Sequence, residues 1–260
     1  MAILAAVFGL AVGSFLNAVI HRLHAGESFM SGRSKCPHCH LNLSAWDLVP
    51  ILSFLVLKGK CAYCGKPISW QYPAVEALTA VTFALAATAY SGPEMIFVWG
   101  LSAFFILIAV YDLKHFLILD KVLYPGFVLS VAYALYQDIG KGCDFGLGCA
   151  TISGLVGILF IAGFFYLQHL VSKGKWIGFG DVKFGLMLGM AAGFPLSILL
   201  LFGAYLSGAL VGLALIALGK KQMGSRLPFG TFLAASAIVT MLYGQSIMSW
   251  YLELIGFSSL

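Results

Sequence analysis

Two aspartates stand where an apolar chain has little other use for them. Asp181 lies in Gly178-Phe179-Gly180-Asp181-Val182-Lys183, between a two-glycine turn and a long apolar run, and Asp112 closes another apolar run over Ile106 to Val110. An acid at the edge of a bilayer reads first as a functional group. Two carboxylates brought close do not both ionise easily and hold a single proton between them. The ionised member draws a proton from water and the protonated member gives one to the carbonyl oxygen of a peptide bond. The roles reverse as the tetrahedral intermediate collapses. The pair therefore predicts acid/base chemistry on water at a membrane surface. No serine-histidine or cysteine-histidine arrangement competes, because His21, His24, His38, His40, His115 and His169 follow no nucleophile motif.

Four cysteines form a second constellation: Cys36-Pro37-His38-Cys39 and Cys61-Ala62-Tyr63-Cys64, with 21 residues between the pairs. Two such knuckles suit a tetrahedral thiolate zinc site, each supplying two ligands from a tight turn. With all four positions filled by sulfur, the metal is a staple for a loop of roughly 50 residues that has little core of its own. A redox or merely structural role for the thiols is the competing reading. Cys143 and Cys149 fall in a second loop or at its helix junction, where a disulfide and a small apolar helix residue at Cys149 are both open.

These residues must be positioned by membrane helices. Of the 260 residues 61% are hydrophobic and only 10% charged, which predicts an all-α polytopic membrane protein. Runs able to span the hydrocarbon recur at 2–20, 72–90, 94–111, 121–137, 147–171, 182–193, 196–218 and 229–252, about eight transmembrane helices, the sixth marginally short before Pro195. The first run has no basic residue ahead of it and His21 and Arg22 behind it, the wrong polarity for a cleaved signal peptide. With its N-terminus outside, every one of the 15 basic residues except Lys141 falls on the cytoplasmic side. The four-cysteine loop is then cytoplasmic and reducing, and Asp112, Asp181 and Asp120 share one depth near the inner face. The net charge of +5 reflects topology and anionic-lipid contact, with no sign of nucleic-acid binding. The expected division is a first helix over 1–20, a zinc loop over 21–71 and a membrane core over 72–260. Glycines repeat every four residues at Gly185, Gly189 and Gly193, and pair at Gly9 and Gly13 and at Gly208 and Gly212, which predicts close helix packing. No repeat of 20 to 50 residues is evident.

Taken together, Gly13-Ser14-Phe15-Leu16-Asn17 through His21-Arg22-Leu23, Gly32-Arg33-Ser34, the paired cysteines, Ile68 to Glu76, Asp112 to Asp120 and Gly178 to Lys183 resemble the type IV prepilin leader peptidases, aspartic enzymes of the bacterial inner membrane. The resemblance implies that Asp112 and Asp181 are the catalytic aspartates and that the substrate is a prepilin or pseudopilin. Such substrates have a short basic leader that ends in glycine and precedes an apolar helix. The four-cysteine loop is similar to that of members that also methylate the new amine with S-adenosylmethionine. This chain departs from the family at Ile118-Leu119-Asp120, where Ile-Pro-Asp is common. Asn17, Glu76 and the region of Arg33 are candidates to orient the loop or the leader, and helix capping or packing would explain them equally. A proton-coupled transporter with a zinc-binding regulatory loop is the alternative class, and an assembly factor that docks through the loop is a third.

Overall fold

The computed structural model describes residues 1–28, 32–143, 148–222 and 225–256. Among them are nine α-helices: α1 (Ala2–Ala25), α2 (Leu52–Val56), α3 (Gln71–Ala89), α4 (Gly92–His115), α5 (Asp120–Lys141), α6 (Ala150–Ser172), α7 (Phe179–Ala192), α8 (Leu196–Ala217) and α9 (Phe229–Leu254). Eight of these fall on the eight apolar runs. The ninth, α2, and a 3-10 turn at Trp46–Leu48 lie inside the four-cysteine loop. Among the described residues six helices are long and apolar enough to cross a membrane: α1, α3, α4, α6, α8 and α9. Helix α5 carries Pro125 and polar residues at both ends, and α7 has only 14 residues, short of the roughly 20 that a straight span needs.

The helices outrun the apolar stretches because hydrogen bonding continues into polar residues until a backbone break stops it. Thus α1 carries on through His21-Arg22-Leu23-His24-Ala25 and ends where Gly26 turns left-handed, at φ 71°, a conformation open to glycine at no steric cost.

The chain forms two compact units, Met1–Leu107 and Ile108–Leu260, with α4 running from the first into the second. In the first unit α1 packs along α3 through its glycines. A Cβ on Gly9 would stand 2.7 Å from Ala80 Cα, and one on Gly13 the same distance from Glu76 Cα. In the second unit α7 is locked against α6 in the same way. A Cβ on Gly185 would come within 3.0 Å of Ala162 Cα, and one on Gly189 within 2.5 Å of the Gly157 carbonyl carbon. Three of these spacings are below any real Cβ contact and the fourth, at Gly185, is at its tight edge, so both pairs of helices meet backbone to backbone. Gly208 and Gly212 face only the side chains of Phe232 and Leu227.

Candidate functional site

Asp112 occupies the last turn of α4 and is buried, 5% exposed. Its Oδ2 receives the backbone N–H of Thr231 at 2.9 Å. Asp181 is the third residue of α7, whose N-cap is Gly178. Its carboxylate takes the N–H of Gly178, and the charge of Asp112 acts on it. Both acids belong to the second unit, so the structure brings together the two residues singled out in the sequence. An acid in the first turn is also favourable for α7 itself.

The glycines beside Asp181 form no left-handed turn. Gly178 has φ −70° and Gly180 is helical. What they supply is space: a Cβ on Gly180 would lie 3.4 Å from Ile118 Cβ, and one on Gly178 would lie 3.4 Å from Asp181 Oδ2. Ile118 thus packs against the residue preceding Asp181. A Cβ on Gly230 would meet Ile118 Cδ1 at 2.9 Å and Asp112 Oδ2 at 3.0 Å, so the same isoleucine sits between the surroundings of both acids. Asp120 begins α5 and is engaged elsewhere, by Lys183 Nζ at 2.7 Å.

The first unit holds the cysteines. The Sγ atoms of Cys36, Cys39, Cys61 and Cys64 all lie within 4.8 Å of one another, with Cys36 and Cys64 at 3.9 Å. Four sulfurs bound about 2.3 Å from one zinc stand about 3.8 Å apart, so the donor set fits a tetrahedral ion. The two knuckles repeat each other at an offset of 25 residues, a short repeat that the sequence reading missed. In the first, Cys36 N–H bonds Leu41 O and His40 N–H bonds Cys36 O; in the second, Cys61 N–H bonds Lys66 O and Gly65 N–H bonds Cys61 O. The return residue is left-handed in both, His40 at φ 58° and Gly65 at φ 68°. Burial would raise the Cys36 thiol, but the backbone groups of Cys39 and His38 and the neighbouring thiols of Cys61 and Cys39 outweigh it and bring it to about 7. A thiol so placed is ready to lose its proton to a metal.

Cys143 and Cys149 form a disulfide. They could make a second ligand group with Asp138, but the disulfide consumes both thiols and the Asp138 carboxylate caps α6 through the N–H groups of Ala150 and Thr151.

The remaining candidates serve the first unit. Asn17, 2% exposed, donates to Tyr72 O at 3.0 Å and accepts from Gln71 Nε2 at 3.1 Å, tying α1 to the start of α3. Glu76 is also buried; its Oε2 takes the N–H of Ile51 at 2.7 Å, and the Ser14 hydroxyl bonds the same carboxylate. Arg33 is exposed. Thr231 and Gly230 were not among the sequence candidates, and neither was Asp47, which accepts from Ser44 N–H and hydroxyl and from the Tyr63 hydroxyl of the second knuckle.

Residues 7–90 match the family described as the bacterial peptidase A24 N-terminal domain, and residues 99–213 match the type IV leader peptidase family. A Bacillus subtilis (strain 168) protein named prepilin leader peptidase/N-methyltransferase is 33% identical over 253 residues, covering 95% of this chain and 96% of its own. Proteins of the same name from Aeromonas hydrophila and Pseudomonas aeruginosa are 33% and 30% identical, covering 95% and 96% of this chain and 92% and 93% of theirs. No solved structure matches. Similarity at this level along nearly the whole length places the chain in the type IV leader peptidase family, peptidase A24.

Proposed function

We propose that this chain removes the leader peptide from type IV prepilins or type II secretion pseudopilins, with Asp112 and Asp181 as the catalytic pair. The observation that carries the reading is the burial of Asp112 in the unit that also holds Asp181, within range of its charge. One carboxylate, ionised, takes a proton from water while the hydroxide attacks the scissile carbonyl carbon. The other, protonated, gives its proton to the carbonyl oxygen. On collapse the first returns its proton to the leaving amine nitrogen and the second recovers one from the intermediate's hydroxyl. One water is consumed, and a carboxylic acid and an amine are released.

In this reading the six long apolar helices cross a bacterial cytoplasmic membrane, and α5 and α7 lie within the same bundle. The basic-residue asymmetry puts both acids and the 21–71 loop at the inner face, with peptidase chemistry in the 72–260 core. A prepilin whose leader lies in the cytoplasm presents its cleavage junction at that depth. Zinc held by Cys36, Cys39, Cys61 and Cys64 would staple the loop, and with four sulfur ligands it would have no position for the hydrolytic water. Transfer of a methyl group from S-adenosylmethionine to the freed amine is carried to this chain by its relatives' names, and no residue is assigned to the donor.

Co-expression with a candidate prepilin, followed by mass spectrometry of the pilin N-terminus, tests both activities in one spectrum. Loss of the leader mass is expected, with a further methyl group on the new terminus. An unprocessed pilin beside well-inserted enzyme would overturn the reading.

A further inference from the structure

The first turn of α9 reaches Asp112 and carries no acid of its own. Its third residue, Thr231, donates its backbone N–H to Asp112 Oδ2 at 2.9 Å, and its hydroxyl lies 2.9 Å from Ala109 O and 3.4 Å from the same Oδ2. Ala109 and Asp112 are one turn apart on α4, so a single threonine grips both the backbone and the carboxylate of that turn. First-turn N–H groups have no partner one turn back within a helix, and this one has otherwise only a long contact of 3.3 Å to Pro228 O. Gly230 makes the approach possible, since a Cβ there would stand 3.0 Å from Oδ2 and 3.2 Å from the carboxyl carbon of Asp112. The preceding Phe229 is itself wedged against Phe165, with ring centroids 5.9 Å apart, and Tyr205, at 5.0 Å. The start of α9 is therefore held by two rings immediately before the grip.

We propose that Thr231 and Gly230 are positioning residues for Asp112, occupying Oδ2 and fixing the carboxylate plane so that Oδ1 is the oxygen that exchanges a proton with water or substrate. Oδ2 keeps the Thr231 N–H throughout the cycle, while the hydroxyl's single hydrogen goes to its nearer acceptor, Ala109 O, and holds that N–H in place. The oxygen opposite is then the only one that moves a proton. This rests on the reading of Asp112 and Asp181 as the catalytic pair.

The test uses the full chain in detergent and a synthetic peptide with a basic leader that ends in glycine, followed by an apolar segment. Thr231→Val keeps the shape and the N–H but removes the hydroxyl, and should lower kcat on the order of tenfold to a hundredfold while KM changes by less than about twofold. Thr231→Ser, which restores the hydroxyl, should return kcat to within about threefold of the parent. Gly230→Ala, which forces a methyl against Oδ2, should lower kcat on the order of a hundredfold. Asp112→Asn and Asp181→Asn are measured alongside. If Asp112→Asn still cleaves, the two-aspartate reading itself falls. If it is inactive while Thr231→Val and Gly230→Ala keep the parental kcat, or lose activity only through KM, the positioning role alone is overturned.

Discussion

Glu76 is the residue whose removal should loosen the cysteine loop from within the helices. Ile51 has φ 57° and ψ −46°, and the N–H of Leu52 returns to the carbonyl of Pro50 across it, a γ-turn of the rare strained hand. A β-branched residue held there costs about 1–3 kcal/mol. The opposing term is visible: a buried carboxylate takes the Ile51 N–H at 2.7 Å, and a hydrogen bond to a charged group contributes about 1.5–3 kcal/mol. The two are of comparable size, so the turn depends on the Glu76 carboxyl. Glu76→Ala should therefore raise the local opening of residues 46–58 by about tenfold to a hundredfold, at 1.4 kcal/mol per decade. Glu76→Gln, which keeps a neutral acceptor, should lose about half of that free energy. Hydrogen–deuterium exchange of the purified protein reads the opening, and chelator-driven metal release reads its consequence for the cysteines. Ile51→Gly supplies the control, because glycine adopts φ 57° without strain, so the double variant with Glu76→Ala should regain part of the protection. Parental exchange and metal retention in Glu76→Ala would refute the reasoning.

Asp112→Asn and Asp181→Asn should each abolish leader removal at normal membrane level, read by the mass of the pilin N-terminus, since an amide keeps the shape but cannot trade a proton. Asp120→Asn should be milder, because its pair with Lys183 is partly exposed and such pairs contribute about 0–1 kcal/mol. Gently purified enzyme should release about one zinc per chain. Serine at Cys36 and Cys39 should lower methylation more than cleavage, since the cysteines and the acids lie in different units; the same mass spectrum reports both. The Ser44 hydroxyl and N–H, with the Tyr63 hydroxyl, hold the Asp47 carboxyl below its ordinary value. Its contribution to the loop is complete above the ordinary carboxylate pKa and is lost as the pH falls through the lower folded one. Amide exchange around Tyr63 should therefore quicken only in that acid range, and Asp47→Asn should make it fast at neutral pH.

Much of the fold was legible because hydrocarbon-length apolar runs allow only one kind of local structure. The eight runs became eight helices, Pro195 fell at the start of α8, and the glycines of α1 and α7 became backbone contacts with α3 and α6. Helix α2 was invisible because five residues are too few to show a period. The matched knuckles escaped because the repeat is only eight residues long, and beyond the shared Lys-Cys-x-x-Cys it lies in backbone bonds and a left-handed sixth position filled once by histidine and once by glycine.

The site divided along a similar line. Asp112 and Asp181 could be named because an acid in an apolar setting is itself a signal, and the four cysteines because their spacing is. Thr231 could not, since its principal contact is a main-chain N–H that almost any residue would carry, and 119 positions separate it from its partner. Glu76 was noticed for its charge as a candidate to orient the loop or the leader, and what the sequence does not show is that it does so by holding one strained amide of the loop. In each case the residue proposed for chemistry announces itself by type, and the residue that supports it is defined by where the backbone passes. The consequence for Asp112 is specific. Its neighbours at Ala109, Gly230 and Thr231 carry no ionisable side chain, so substitutions there change the acid's geometry before its electrostatics, and turnover rather than substrate affinity is where the difference must appear.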